Sequence, residues 1–504
     1  MKKLFFLVLA VFFVQLLDGQ QVRVDSLCRQ AYGEIMSLRF VPAQKILETE
    51  KQLYPENVYV DYLENYIDFL RVFIGENPKV FDTSIDNFGI RYDRIDQLPD
   101  TSRYKNLLLA NINLQWAFAR LKFGQYLSAA WEISRAYRML TVNVERFPDF
   151  IPDDITLGVL HVMIGLVPDK YGWMLKIISM KGSVEQGKAE IYRALDNTTK
   201  NSPNAYLHNE ALFYLGFIEL NLSPNRKAMD RLMIYLNQTD NRNLLMDFLK
   251  TDIHIRYGQN DLALKLLKSL PQSPDYFPFY YLRYLKGDCY LRKLEPDSAT
   301  LSFRYFLKHF KGLNYIKDAW RKRAWVALLQ NRPKEYQQFM DSTKVYGVAE
   351  VGADKEALKE ANSGITPNTN LLRARLLFDG GYYVRAKTIL DTMNTSHLTK
   401  EEQTERIYRY SRIAHRQRDI PLAKKEYRRV IVMGSLSPRY FAANAALKLG
   451  EIYESEDSLT LAKSFYEKCL VLNFDEYKNS IRGKAKEALS RIQGKQAATT
   501  GNQN

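Results

Sequence analysis

The residues that could carry out chemistry do not form a recognisable catalytic or metal-binding motif. The six histidines lie at positions 161, 208, 254, 309, 397 and 415. None pairs with another at the spacing that places two metal ligands on one helix face. The sequence also lacks the glycine-rich phosphate-binding motifs and the Gly-x-Ser-x-Gly motif of a nucleophilic serine. We therefore expect no catalytic residue, no cofactor and no metal ligand, and a protein that binds a partner.

The three cysteines, Cys28, Cys289 and Cys469, are odd in number and far apart in the sequence. This arrangement predicts neither a disulfide framework nor a metal site. We expect Cys289 and Cys469 to be buried as small apolar groups inside helices. The cysteines therefore add no chemistry to the prediction.

Basic residues near the carboxyl end are the strongest candidates for binding. The chain has a net charge of +15, and residues 401 to 450 contain eleven Lys and Arg against five Asp and Glu. Arg375, Arg412 and Arg416 could hold a carboxylate, because a guanidinium pairs with it through two parallel hydrogen bonds. A run of charge is also typical of a solvated helix face, and the sequence leaves that alternative open.

A recurring pattern of small and aromatic residues predicts the elements that would position these arginines. Gly450 is followed by Tyr453, by Ala462 twelve residues after the glycine, and by Tyr466 four residues later. Small residues are needed where two helices cross most closely, and the aromatic residues fill the space between neighbouring pairs. The pattern predicts a helix–turn–helix unit.

The same spacing of twelve residues recurs along the chain. The predicted packing residues are Ala31, Ala43, Ala117, Ala129, Gly216, Ala228, Gly287, Ala299, Ala374, Ala386, Ala423, Gly450 and Ala462. Ser411 precedes Ala423 by the same interval, and a weaker copy joins Thr251 and Ala263. An all-helical protein without repeats, whose alanines fall this way by chance, is the alternative.

On these residues the chain resembles the tetratricopeptide-repeat (TPR) family. The resemblance implies an all-α fold, a right-handed superhelical solenoid of stacked helix–turn–helix repeats. It also implies a concave groove, lined by the first helix of each pair, where family members usually bind peptides. Arg375, Tyr408, Arg412 and Arg416 are then expected in this groove. The Lys/Asn pattern of the family's carboxylate-binding grooves is not matched.

The amino terminus has the parts of a secretory signal peptide, which we predict over residues 1–19. Lys2 and Lys3 precede an apolar run from Leu4 to Leu17 that only Gln15 interrupts. This run is shorter than the ~20 residues that a membrane-spanning helix needs. An uncleaved anchor is the alternative, whereas Cys28 comes too late to be a lipid-attachment site. We expect an exported bacterial protein in the periplasm or at the periphery of the outer membrane.

The predicted organisation has two arrays. An amino-terminal TPR-like array covers 20–344, with a divergent insertion around 143–195 that contains a nearly all-apolar helix. A glycine-containing linker at 345–366 precedes a second array of about three repeats at 367–492, and a disordered tail follows at 493–504. The insertion is expected to pack on the core, with partner docking as the alternative.

Together these features predict a non-catalytic exported scaffold for protein–protein interaction. The expected partner is a protein or peptide with acidic character, and the basic charge also favours peripheral contact with an anionic envelope surface. Nucleic acid is not expected as a partner of an exported protein. One alternative is a carbohydrate-binding envelope protein that uses aromatic residues of the groove. An enzyme with an unrecognised site is a third possibility.

Overall fold

The computed structural model describes residues 21–167, 180–222, 226–239 and 243–501, with side chains to residue 494. Within these ranges the regular structure is helical, and the only β-type pairing is an isolated bridge between Gln21 and Asn57. No helix in the described ranges combines the length and the apolar character needed to span a bilayer. The predicted signal peptide at 1–19 lies outside the described residues.

The described residues form 24 α-helices. They are α1 (Ser26–Met36), α2 (Phe40–Leu53), α3 (Tyr59–Gly75), α4 (Pro78–Asp96), α5 (Arg103–Lys122), α6 (Tyr126–Arg146), α7 (Pro152–Gly165), α8 (Val184–Asp196), α9 (His208–Phe217), α10 (Arg226–Leu236), α11 (Leu244–Arg256), α12 (Asn260–Ser269), α13 (Tyr281–Lys293), α14 (Pro296–His309), α15 (Ile316–Leu329), α16 (Pro333–Val345), α17 (Gly352–Ser363), α18 (Thr369–Asp379), α19 (Tyr383–Thr392), α20 (Lys400–Arg416), α21 (Ile420–Met433), α22 (Phe441–Ser455), α23 (Leu459–Val471) and α24 (Lys478–Gly501). A short 3₁₀ helix (Ala205–Leu207) precedes α9, and a π-helical turn (Ile218–Leu222) follows it.

The chain forms two compact units. Unit 1 comprises Met1–Arg256, Leu262–Arg283 and Lys308–Leu313, and unit 2 comprises Tyr257–Asp261, Tyr284–Leu307 and Asn314–Asn504. Within unit 2, α18 packs on α19, α20 on α21 and α22 on α23. The first helices α18, α20, α22 and α24 lie side by side in one layer. Unit 1 repeats this arrangement, with α1, α3, α5 and α7 as neighbouring first helices. The prediction of an all-α stack of helix pairs is confirmed.

The turns within the pairs show that these units repeat. Each of eight turns contains one residue with φ between 55° and 84°, namely Leu38, Gly124, Gly258, Leu294, Asn331, Gly381, Arg418 and Asp457. This left-handed conformation is uncommon for residues other than glycine. Each of these residues lies seven positions after a small or short residue of the first helix, as Asp457 does after Gly450. A common turn geometry therefore accompanies the common spacing.

The small residues lie where the helices cross. An added Cβ on Gly287 would be 2.8 Å from Phe303, and one on Gly216 would be 2.8 Å from Leu249. Twelve of the thirteen predicted packing residues are buried. Ala228 is half-buried, and the adjacent Met229 is buried instead.

Three segments differ from the sequence-based expectation or extend it. The segment 345–366, predicted to be a linker, contains α17, whose Ala357 and Ala361 are buried. In the insertion, α7 is buried along most of its length and packs on α8, which fits a packing role; residues 168–179 lie outside the described ranges. The backbone of α24 continues as a helix into the predicted tail.

Candidate functional site: a basic face on α20 and α22

Helix α20 carries three of the four predicted groove residues, and its start is fixed by a capping box. The Thr399 hydroxyl accepts a hydrogen bond from the Glu402 backbone N–H at 3.2 Å, and the Glu402 carboxylate accepts one from the Thr399 N–H at 2.8 Å. Ser411 and Ala414 are buried. Since they occupy the packed side of the helix, the rotation of α20 about its axis is fixed.

Tyr408 is a core residue, which corrects its predicted place in the ligand-binding groove. Its side chain is 1% exposed, and its hydroxyl donates to Asn444 Oδ1 of α22 at 3.0 Å. Its ring packs against Phe441, with 5.1 Å between the ring centroids. A ligand cannot reach the ring face or the hydroxyl of Tyr408, because α22 covers both.

Within the described part of the chain, Arg412 and Arg416, one and two turns beyond Tyr408, are not ion-paired with a carboxylate, although the charge of Asp379 raises the pKa of Arg412 from further away. The Arg412 guanidinium carbon lies 4.1 Å from the centroid of the Phe378 ring, so the side chain is stacked and half-buried. Arg416 is exposed. Among the described residues, no acidic side chain lies within 4 Å of either guanidinium. Both groups keep hydrogen-bond donors for an external anion.

Arg375, on the neighbouring helix α18, is only partly available. Its guanidinium carbon lies 5.1 Å from the centroid of the Trp325 ring, and its Nε is 3.9 Å from Asp379 Oδ2. The side chain is 28% exposed. Because Asp379 offsets part of its charge, Arg375 is a weaker anchor than Arg412 or Arg416.

The first half of α20 is electrically balanced, unlike its second half. Arg409 is buried and donates hydrogen bonds to Glu405, four residues earlier, and Glu405 also lies 3.9 Å from Arg439. Burial alone would raise the pKa of Glu405, but Arg409 and then Arg439 outweigh it, and the pKa is lowered. Glu405 is therefore ionised and paired with cations at its own end of α20.

Several basic side chains lie in and beside the second half of α20. Burial lowers the pKa of His415, and Lys448, Arg416 and Arg412 lower it further. Burial also lowers the pKa of Lys448, which lies 2.7 Å from Glu451, and Arg412 contributes in the same direction. Burial is the largest cause of both shifts, and Glu451 acts on both groups in the opposite direction. We call Arg412, Arg416 and Lys448 the basic face.

The sequence-based prediction of this site did not include Phe378 and Lys448. Lys448 follows Asn444 by four residues and therefore lies one turn further along the same side of α22. The spacing of four residues from Asn444 is enough to predict that Lys448 lies on this side of α22. Phe378 has no comparable signal, because its contact with Arg412 depends on how α18 packs against α20.

Unit 1 contains a surface of different chemistry, an apolar pocket. Its lining includes Phe69, Phe73, Phe118 and Phe213, and its empty volume is about 450 Å³, part of it open to solvent. The hydroxyl of Tyr66, which also lines it, donates to the buried Glu210 at 2.8 Å. A sugar needs polar partners for its hydroxyl groups as well as a ring to stack on. The pocket offers aromatic rings but few polar groups that could bind sugar hydroxyls, so it gives little support to carbohydrate binding.

Comparisons with known proteins assign no family. No family model matches the sequence, and no curated protein matches it. Among solved structures, the chain is similar to an IFIT1 monomeric mutant with Gppp-AAAA, at 12% identity and a TM-score of 0.30. It is also similar to an IFIT1 monomeric mutant with m7Gppp-AAAA, at 12% identity and a TM-score of 0.31. Each alignment covers 88% of this chain and 95% of the other. Similarity this low assigns neither a family nor a ligand to this chain.

Proposed function

We propose that the chain is a non-catalytic, exported scaffold of the TPR type that binds an acidic peptide segment at its basic face. The observation on which this rests is the absence of an acidic partner for Arg412 and Arg416 within the described residues, next to the paired charges of Arg409 and Glu405. Arg373 and Arg406 also lack an ion pair but donate to the backbone carbonyl oxygens of Leu329 and Leu390, so Arg412 and Arg416 are the better placed to meet a ligand.

The geometry suits carboxylates carried on a peptide. Arg412 and Arg416 are one helical turn apart, so their Cβ atoms are separated by roughly 5–6 Å. Two acidic residues of an extended peptide, or one acidic residue and a terminal carboxylate, can be contacted at this separation. The stacking of Arg412 on Phe378 restricts the guanidinium before the ligand arrives, which reduces the entropy lost on binding.

The proposed location is the bacterial envelope. It rests on the amino-terminal sequence, where Lys2 and Lys3 precede the apolar run from Leu4 to Leu17. The positive net charge supports a second, weaker interaction with an anionic envelope surface. A protease-protection assay on fractionated cells, with an antibody against the chain, tests this location. Recovery in the cytoplasmic fraction contradicts it.

A peptide-binding assay tests the basic face directly. The probe is octaglutamate labelled at its amino end, measured by fluorescence anisotropy with the full chain. A charge-assisted hydrogen bond contributes about 1.5–3 kcal/mol, so the double variant Arg412→Glu/Arg416→Glu should weaken binding at least tenfold. The control is Lys425→Glu/Arg429→Glu, two exposed residues of α21 with the same change in net charge.

The outcomes of this assay separate three explanations. Retained affinity in the control and a loss in the test variant support the basic face. An equal loss in both variants shows that only net charge matters, and no loss in either refutes the assignment. Comparing octaglutamate with its carboxyl-terminal amide shows whether the terminal carboxylate is recognised. If a neutral oligosaccharide, and not octaglutamate, binds wild type and test variant equally, the carbohydrate alternative replaces the proposal.

A further inference from the structure

A thiol and two carboxyl groups converge at the start of unit 1, where the chain enters the fold. Asp25 caps α1, and its Oδ1 accepts a hydrogen bond from the Cys28 N–H at 3.1 Å. Glu50, from α2, is fully buried, as is Cys28. One oxygen of each carboxylate and the Cys28 sulfur all lie within 4.8 Å of one another. The three side chains come from two helices and the segment before them.

The hydrogen-bond donors at this position do not satisfy the acceptors. The Asn57 amide nitrogen has two hydrogens but faces the Arg23 carbonyl oxygen at 3.0 Å, Glu50 Oε1 at 2.8 Å and the Cys28 sulfur at 3.5 Å. Glu50 Oε2 is buried and has no hydrogen-bond partner in the described structure. No basic side chain of the described ranges lies within 4 Å of Glu50. A fully buried carboxylate thus lacks a compensating cation, and buried charges are normally paired or bind metals.

We propose that Asp25, Cys28 and Glu50 bind a divalent cation of borderline softness, with Zn²⁺ as the model ion. A thiolate and two carboxylate oxygens are accepted zinc ligands, whereas Mg²⁺ and Ca²⁺ prefer oxygen alone. Zinc–ligand bonds are about 2.0–2.3 Å long, so tetrahedral ligand atoms lie about 3.3–3.8 Å apart. Side-chain shifts of about 1 Å would close the present arrangement around an ion, and a water molecule would occupy the fourth position.

The charges balance when the ion binds. Cys28 releases its thiol proton to water, and the resulting thiolate and two carboxylates carry three negative charges. The ion supplies two positive charges. Arg23, whose Nε lies 3.0 Å from Asp25 Oδ2, supplies the third. No oxidant or reductant takes part in this step.

The ion would link residues 21–25, which precede α1, to the first helix pair. This segment already pairs with the connection between α2 and α3, because Gln21 and Arg23 bond to Glu56, Asn57 and Val58. Metal binding that requires the folded arrangement of the ligands stabilises that arrangement. We therefore expect the ion to raise the thermal midpoint of unfolding and to slow hydrogen exchange in α1 and α2.

Cobalt is the probe, because a thiolate bound to Co²⁺ gives a charge-transfer band in the near ultraviolet. Chelator-treated full chain titrated with Co²⁺ should develop this band with one equivalent of metal, and Zn²⁺ should abolish it. The variants Cys28→Ser and Glu50→Gln should lose the band, while Cys469→Ala, which removes another buried thiol, should keep it. Zn²⁺ should raise the thermal midpoint of wild type and Cys469→Ala but not of Glu50→Gln.

Two results would overturn the proposal. One is a wild-type protein that shows neither the band nor a thermal shift, because the three side chains then do not bind the ion. The other is a band that persists in Cys28→Ser, which would place the cobalt on a different thiol. If Cys28→Ser does not fold, Glu50→Gln decides, since it keeps the thiol and the shape of the side chain. Neither result bears on the basic face, which belongs to unit 2.

Discussion

Replacing Gly450 by alanine tests whether close helix crossing requires a small residue. Gly450 lies within α22, where α23 crosses it, and an added Cβ would be 2.6 Å from Cδ1 of Tyr466. Carbon atoms in contact are normally about 3.5–4.0 Å apart, so the ring or α23 must move by about 1 Å. The Tyr466 ring is fully buried and its hydroxyl donates to Glu454 at 2.8 Å, which restricts that movement.

A matched glycine isolates the magnitude of this steric effect. Gly89 also lies inside a helix, α4, but an added Cβ there has no neighbour within 4 Å. Both alanine variants gain about 1 kcal/mol of helix propensity, whereas only Gly450→Ala incurs an overpacking cost of about 1–3 kcal/mol. The effects of the two variants on the free energy of local unfolding should therefore differ by about 1–3 kcal/mol.

Hydrogen exchange followed by mass spectrometry on the full chain measures this difference locally. We expect faster exchange in α22 and α23 for Gly450→Ala than for the wild type, and slower exchange in α4 for Gly89→Ala. In a Tyr466→Leu background, Gly450→Ala should lose its destabilising effect, because the clashing ring is gone. Equal stabilisation by both alanines would refute the reasoning, since it would show that α23 does not constrain position 450.

Two further predictions concern buried charges in wild-type and variant proteins compared by urea titration. Burial raises the pKa of Asp153 from its ordinary value of 3.8 to about 8. The carboxyl group of Asp153 therefore loses its proton at a lower pH in the unfolded chain than in the folded protein. The contribution of Asp153 to the free energy of unfolding should fall by about 1.4 kcal/mol per pH unit between pH 4 and pH 8. Asp153→Asn should remove this slope, and an unchanged slope would contradict the assignment. Lys322 is hydrogen-bonded to Asp288 and lies 3.2 Å from Asp318. Asp288 keeps Arg292 at 2.7 Å and Asp318 keeps its ion pair with Arg321, so Lys322→Met should cost about 1.5–3 kcal/mol, the contribution of a hydrogen bond between charged groups. Lys425→Met, at an exposed site, should stay within about 0.5 kcal/mol of wild type; similar losses for both would contradict the structural role.

The pairing of helices could be predicted from sequence wherever a small residue marks both sides of a crossing. Gly450 and Ala462 identify the α22–α23 pair in this way. The α15–α16 pair was missed because Tyr336 stands where other pairs carry alanine. Ala324 and Asn331 still keep the spacing of seven between the packing residue and the residue with positive φ. That spacing is a property of the turn, and only the structure revealed it.

The binding surface could be predicted only to the level of the helix that carries it. Tyr408 and Arg412 are one turn apart on α20, and periodicity places both on the same side. Which of them is covered depends on Phe441 and Asn444 of α22, which pack on Tyr408. That no acidic side chain of the described residues lies within 4 Å of the Arg412 guanidinium depends likewise on tertiary packing. Sequence spacing alone does not contain this information.

Few large apolar residues and several glycines suggested a linker at 345–366, yet α17 forms there. Ala357 and Ala361 are buried because small side chains suffice where α17 packs on α15 and α16. The same limit applies to the proposed metal site. Cys28 and Glu50 are 22 residues apart, and only the packing of α1 on α2 brings them together.

Hydrogen exchange of the full chain with and without octaglutamate tests the central claim most directly, because it shows where the peptide lies. If an acidic peptide binds at the basic face, exchange should slow in the second half of α20 and in α22, and this protection should vanish in Arg412→Glu/Arg416→Glu. Protection confined to α21 and α23, or unchanged by that double variant, would contradict it.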